Sequence, residues 1–203
     1  MFVSISKERF LDARHRFYEW RYELDFARKT VLALWFACLT GLAAFVRVPV
    51  PFSPVPFTGQ VFVVLLSGMV LGHLWGGLAQ ALYLGIGLAG VPWFTGGVGG
   101  ISVVYGPTIG YLIGFVVAAL FIGWLVDRKV EYRSVKFQIP IMLAAILIIY
   151  AFGVPILALN AGVSLWTAVL LGAVPFVLVD ILKLVLAVFT GNVLMTKQPF
   201  GQS

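Results

Sequence analysis

The stretch Pro175-Phe-Val-Leu-Val-Asp180-Ile-Leu-Lys183-Leu-Val-Leu-Ala-Val-Phe189 is apolar enough to lie in lipid, yet it carries an acid and a base. Asp180 and Lys183 are three residues apart, so on a helix they share one face. Either charge alone at the centre of a bilayer costs on the order of 3 kcal/mol on an insertion scale. Such groups persist where they meet each other, a polar cavity or a ligand. Three readings stay open: an ion pair satisfied within the helix, a Lys183 that snorkels to the interface, or a functional pair, the default for charges inside a membrane.

The rest of the chain agrees with a membrane setting. Of its 203 residues, 61% are hydrophobic and 11% charged, and the mean hydropathy is +1.03. A soluble domain would carry about a quarter charged residues. The expected fold is an all-α integral membrane protein, a six-transmembrane-helix bundle with Pro-rich and Gly-rich outer loops. Spans of about 20 residues are expected, at roughly 29–46, 59–72 (short), 74–90, 107–126, 138–160 and from Pro175 to near Met195. Residues 163–173 read either as a short helix dipping in from one surface or as part of a longer, tilted last span. Residues 28–196 form the membrane domain on this reading, and 197–203 a tail. The single Cys38 excludes an intrachain disulfide.

Residues 1–27 mix charges and show no cleavable signal peptide. Phe10, Phe17 and Leu24 repeat at seven among basic residues. That pattern fits an interfacial helix on the membrane or a solvated arm. Lys7, Arg9, Arg14, Arg16, Arg21, Arg28 and Lys29 precede span one, Arg128, Lys129, Arg133 and Lys136 link spans four and five, and Lys197 follows span six. With six spans these fall on one side, and the other side has Arg47. The positive-inside rule makes both termini cytoplasmic and turns loops 47–58 and 91–106 outward. The net charge of +6 is thereby explained without nucleic acid. Asp180 and Lys183 then lie about 7 to 12 Å below the outer end of their helix, under those two loops.

Prolines 49, 51, 54 and 56 cannot continue a helix and predict a stiff, extended segment leading to Thr58, Gly59 and Gln60. The second loop, Gly90 to Tyr111, has seven glycines in 22 residues. No phosphate-loop Lys follows it. Gly97 and Gly100 are the kind of positions where backbone approaches a ligand, and irregular backbone is tolerated at membrane depth where it lines a cavity. Trp93, Phe94 and Tyr105 are candidate walls. Ala33, Ala37 and Gly41 form a small-xxx-small row on span one, to face a helix of this chain or a partner. Gly76, Gly77, Gly85 and Gly87 suggest close packing around span three. Catalysis is not expected. The two histidines, His15 and His73, lie far apart, no His-Glu-x-x-His occurs, and no span holds a carboxylate pair. No metal site and no cofactor are expected.

Four motifs in order, Pro54-Val-Pro-Phe-Thr-Gly-Gln60, Gly90-Val-Pro-Trp-Phe-Thr-Gly-Gly97, Gly106-Pro-Thr-Ile-Gly-Tyr111 and Pro175 to Lys183, resemble the biotin-specific substrate-binding (S) component of energy-coupling-factor (ECF) transporters. The resemblance covers roughly residues 28–195. It implies a plasma-membrane bundle that takes biotin from outside and releases it inside, docked on a transmembrane coupling protein with two cytoplasmic ATPases. The chain has no nucleotide motif, so ATP hydrolysis would belong to those partners. In the family the first helix docks through small residues, here Ala33 and Ala37. The chain departs from the family pattern at Val98, between the glycine pairs, and at Val179, before Asp180. Biotin needs a cation or donors for its carboxylate, a donor and acceptor set for its ureido group, and apolar walls. Lys183 is expected to meet the carboxylate. Asp180 either accepts the ureido N–H groups or only orients Lys183. Gln60, Thr58 and Tyr83 are polar candidates, and Trp93, Phe94 and Tyr105 walls. An S component for thiamin or riboflavin, and a stand-alone facilitator or channel, are the alternatives.

Overall fold

The computed structural model describes residues 23–195 together with Asp12 and Arg16. Most of the expected arm at 1–27, with His15, and the tail at 197–203 lie outside the described residues. Among those described, seven α-helices follow one another: α1 (Phe26–Phe45), α2 (Gln60–Leu71), α3 (His73–Leu88), α4 (Ile109–Arg128), α5 (Val135–Ala161), α6 (Leu165–Gly172) and α7 (Val177–Leu194). The chain is a multi-pass helical membrane protein. Among the described residues, four helical segments are long and apolar enough to cross a bilayer: α1, α4, α5, and α6 with α7 taken together over Leu165–Leu194. The other two helices are shorter, α2 with 12 residues and α3 with 16.

α2 sits at the centre, in contact with α1, α3, α4 and α7, and α5 packs along α4. Ten of the 12 residues of α2 are buried. Glycines set the closest approaches. A Cβ on Gly110 would stand 2.5 Å from the Phe152 carbonyl oxygen, and one on Gly114 would stand 2.9 Å from Ile149 Cα. These two turns of α4 therefore lie directly on the backbone of α5. α2 and α3 are separated by Gly72, whose φ is +81°. The Asp127 carboxylate fills the space beside it and accepts the His73 N–H at 2.8 Å. That carboxylate closes the open first turn of α3, as an N-terminal cap does. Gly76, Gly77 and Gly87 serve packing as expected, whereas a Cβ on Gly85 would meet nothing within 4 Å.

One local expectation is corrected and two are made finer. The proline segment is a closed hairpin: β1 (Arg47–Val48) pairs antiparallel with β2 (Phe57–Thr58), and Ser53 Oγ between them donates to the Leu171 carbonyl at 2.7 Å. The last helix begins at Val177, because Pro175 sits in a 3-10 turn over Val174–Phe176. Residues 165–172 form a short helix joined to the last one through that turn, so the two readings of this stretch merge. The hairpin, the loop after α3, α6 and the start of α7 gather at one end of the bundle, the hairpin end. Lys29, Arg128, Lys129, Arg133 and Lys136 gather at the other, the basic end.

Candidate binding site

Asp180, on the first turn of α7, is 3% exposed. Lys183 Nζ donates to its Oδ1 at 2.7 Å. Tyr150, from the middle of α5, donates its hydroxyl to Oδ2 at 2.6 Å. The acid and base are thus paired, and both line one cavity inside the hairpin end. The ammonium has two further N–H donors, and each carboxylate oxygen has a second lone pair. The cavity wall combines a charged pair with a phenol, a group able to meet donors and acceptors alike.

Across the cavity stands Gln60, the first residue of α2, 3% exposed. Its amide nitrogen donates to the Tyr83 hydroxyl at 2.7 Å, and its oxygen accepts from the Thr95 hydroxyl at 3.1 Å. A helix start with no capping side chain leaves Gln60 free to turn inward, and Tyr83 and Thr95 fix its amide plane. Thr95 arrives from the glycine loop. Gly96 and Gly97, at φ +95° and +70°, turn the chain back on itself so that the Phe94 N–H reaches the Val98 carbonyl at 3.0 Å. This tight return tucks Phe94 under the loop, 2% exposed, edge-on to Tyr83 with ring centroids 5.3 Å apart. Gly87 makes room for the ring, since a Cβ there would overlap it. The Gly100 N–H, bonded to the Gly87 carbonyl at 2.8 Å, ties the loop to the end of α3.

The rest of the lining is Val55, Pro56, Thr58, Val61, Thr108, Tyr111, Leu112, Phe115, Ile149 and Phe176. Tyr111 donates to the Gly172 carbonyl at 2.9 Å and lies across Gly153. The cavity holds about 50 Å³ of space for water-molecule centres, several times the roughly 10–15 Å³ that one water needs.

Of the residues expected from sequence, Asp180, Lys183, Gln60, Thr58 and Phe94 meet at this cavity. Tyr83 and Trp93 stand one layer behind. Tyr83 holds Gln60, and the Trp93 indole donates to the Tyr83 carbonyl at 3.0 Å. Gly97 and Gly100 shape the loop without lining the cavity. Tyr105 is corrected: it ends the 3-10 turn Ile101–Tyr105 and is 80% exposed, so it walls nothing. The docking role of Ala33 and Ala37 is also corrected. Both are fully buried, Ala33 in a cluster with Leu71 and Ala79, so this face of α1 is covered by helices of the same chain. Sequence reasoning missed Thr95, Thr108, Tyr111 and Tyr150. A buried phenol needs a partner for its hydroxyl, so Tyr150 in the apolar run Ile148-Ile-Tyr150-Ala-Phe152 signalled a polar partner but not that the partner is Asp180.

A larger cavity, about 400 Å³, lies at the basic end between Lys29, His73, Trp75, Trp124, Asp127 and Arg128. It holds none of the motif residues, and Asp127 in it is engaged with the start of α3. Size alone does not make it the site. The smaller cavity has the convergent polar groups among apolar walls that small-molecule sites show.

A family model described as the BioY family matches residues 13–199. A probable biotin transporter BioY of Lysinibacillus sphaericus is 46% identical over 146 residues, 70% of this chain and 72% of that protein. The biotin transporter BioY of Thermotoga maritima is 41% identical over 160 residues, 79% of this chain and 91% of the other. A solved structure described as the S-component for biotin from an ECF-type ABC transporter superposes with a TM-score of 0.75 at 22% identity, covering 82% of this chain and 89% of that one. That likeness gives the fold: a membrane helical bundle.

Proposed function

The chain belongs to the BioY family, and on that premise we propose that it is the membrane-embedded component that binds biotin for uptake. The family is one of transporter components, not enzymes, and the ligand is a substrate to be carried. The observation that carries the reading at this chain's own residues is the cavity with Asp180, Lys183 and Tyr150 on one side and Gln60 with Thr95 on the other.

The chemistry of the cavity matches the ligand part by part. Phe94, Phe115, Phe176, Leu112 and Ile149 give the apolar walls that a thiophane ring needs. Lys183, held by Asp180, meets an anionic or carbonyl oxygen of the ligand. Asp180, with both oxygens engaged, orients Lys183 first and accepts a ligand N–H on its remaining lone pairs. Gln60 offers a donor and an acceptor whose geometry Tyr83 and Thr95 fix, and Thr58 and Thr108 add hydroxyls at the rim. Buried polar groups left unpaired by an analogue disfavour that analogue strongly. This is how such a site separates biotin from thiamin or riboflavin.

We further propose six membrane crossings, with α2 and α3 as the two short ones and the α6–α7 pair as the last. The excess of Lys and Arg at the basic end supports a cytoplasmic placement for that end and for both termini, in the plasma membrane. The domain proposed is 28–196, with the arm at 1–27 beside it. Partners of the ECF kind, a transmembrane coupling protein and two cytoplasmic ATPases, would supply the energy.

Calorimetry on the purified chain with biotin, desthiobiotin, thiamin and riboflavin tests the function. The expected order puts biotin first, with the two other vitamins silent. Tight binding of thiamin or riboflavin in place of biotin would overturn the assignment. Co-purification from the native membrane tests the partners, and transport by the chain alone in vesicles would remove the need for them.

A further inference from the structure

Inside the cavity the acid and base of α7 sum to zero charge, so they offer a polar surface without a net attraction for an anion at a distance. The segments at the hairpin end, 46–59, 89–108 and 160–176, contain a single charged side chain, Arg47, and no acid. Arg47 is exposed and forms no ion pair among the described residues. An Arg on the poorly charged side of a membrane protein runs against the usual distribution.

Its position is fixed from two sides. In the hairpin Arg47 pairs with Thr58, and paired residues project to the same face of a ladder. Thr58 lines the cavity. The guanidinium reaches over the glycine loop, where Nη1 stands 3.0 Å from the place a Cβ on Gly96 would occupy. The preceding residue, Thr95, lines the cavity and bonds Gln60. Arg47 thus spans the two elements that form the rim.

We propose that Arg47 is a capture group for the ligand's carboxylate at the mouth of the cavity, an inference that rests on the biotin reading above. An uncompensated charge beside a low-dielectric opening focuses the field and raises the arrival rate of anions. A guanidinium pairs a carboxylate through two parallel N–H bonds. Rim charges act mainly on association rates and their salt dependence. The carboxylate is drawn to Arg47 first, while the bicycle enters toward Lys183 and Gln60.

The test measures association rates by stopped flow, with the chain in nanodiscs of zwitterionic lipid. The ligands are biotin and its neutral primary amide, each at low and high ionic strength. Wild type is expected to bind the acid faster than the amide at low salt and to lose that advantage at high salt. Arg47→Gln is expected to slow the acid roughly tenfold at low salt, the low end of electrostatic steering, and to leave the amide rate alone. Arg47→Lys is expected to keep most of the wild-type rate. Equal slowing of acid and amide in Arg47→Gln would assign Arg47 to holding hairpin and loop together and overturn the inference. No change in either rate would make it an interfacial anchor and overturn it as well. Binding of neither ligand by wild type would instead defeat the biotin reading itself, and the inference with it.

Discussion

Tyr150 and Asp180 meet between α5 and α7, the phenol donating to Oδ2 at 2.6 Å while Lys183 holds Oδ1 at 2.7 Å. Both oxygens of the acid are engaged before any ligand arrives. A carboxylate held in this way fixes the direction of the ammonium that faces the cavity. It also couples α7 to the middle of α5, a helix that otherwise offers the cavity apolar surface.

Tyr150→Phe keeps the ring and removes the donor. A hydrogen bond to a charged group contributes about 1.5–3 kcal/mol, and Asp180 turns toward a new partner without it. Biotin affinity is expected to fall by about tenfold or more, and the melting temperature to drop with the lost bond. Calorimetry and a melting curve on the same preparation check it. Unaltered affinity would make Tyr150 a packing residue only.

Removing one member of a buried ion pair costs on the order of 3–5 kcal/mol, because it strands the other charge. Lys183→Met is therefore expected to lower both biotin affinity and thermal stability. The double variant Asp180→Asn, Lys183→Met strands nothing. It is expected to recover most of the stability and none of the binding. A double variant that melts as low as the single one would show that the pair is not coupled as its 2.7 Å separation implies.

Two glycines two residues apart on α3 divide sharply. A Cβ on Gly87 would overlap the Phe94 ring and stand 2.6 Å from the Trp93 indole nitrogen, while one on Gly85 meets nothing within 4 Å. Gly87→Val is expected to push Phe94 out of its seat and weaken biotin binding at least tenfold. Gly85→Ala is expected to leave binding alone and to add up to about 1 kcal/mol of helix stability. Ligand titrations of the two variants side by side separate loop seating from a general sensitivity of this helix.

The contrast shows what the sequence carried. The spacing of Asp180 and Lys183 was legible because a charge in an apolar run has few physical excuses. Gln60 and Phe94 were legible from the polar and aromatic residues flanking breaker-rich loops. Tyr111 and Tyr150 were not, because a phenol inside an apolar helix reads the same whether its hydroxyl meets a carbonyl, as Tyr111 does at Gly172, or a carboxylate, as Tyr150 does at Asp180. The hairpin at 47–58 was hidden by its prolines, which exclude helix but say nothing of where the flanking residues pair. Tyr105 was misplaced because aromatic character in a loop does not tell which way a 3-10 turn faces.

The small row on α1 gives the last expected outcome, and it departs from the docking role that the family resemblance implies. A row of alanines admits a close neighbour without naming it, and here the neighbours are helices of this chain. Ala33 and Ala37 have no exposed surface. Farther along the same helix, Thr40 bonds Gln80 of α3, and Gln80 in turn bonds Ser67 of α2. These three buried polar groups lock α1 against both helices, the way side-chain hydrogen bonds join helices in a membrane. Extra methylenes forced into such a contact cost typically about 1–3 kcal/mol. Ala37→Leu is therefore expected to lower the melting temperature and to weaken biotin binding through α2, which carries Gln60. A role confined to partner docking would leave both unchanged in the isolated chain and impair uptake alone. Melting curves and titrations without any partner present decide between the two.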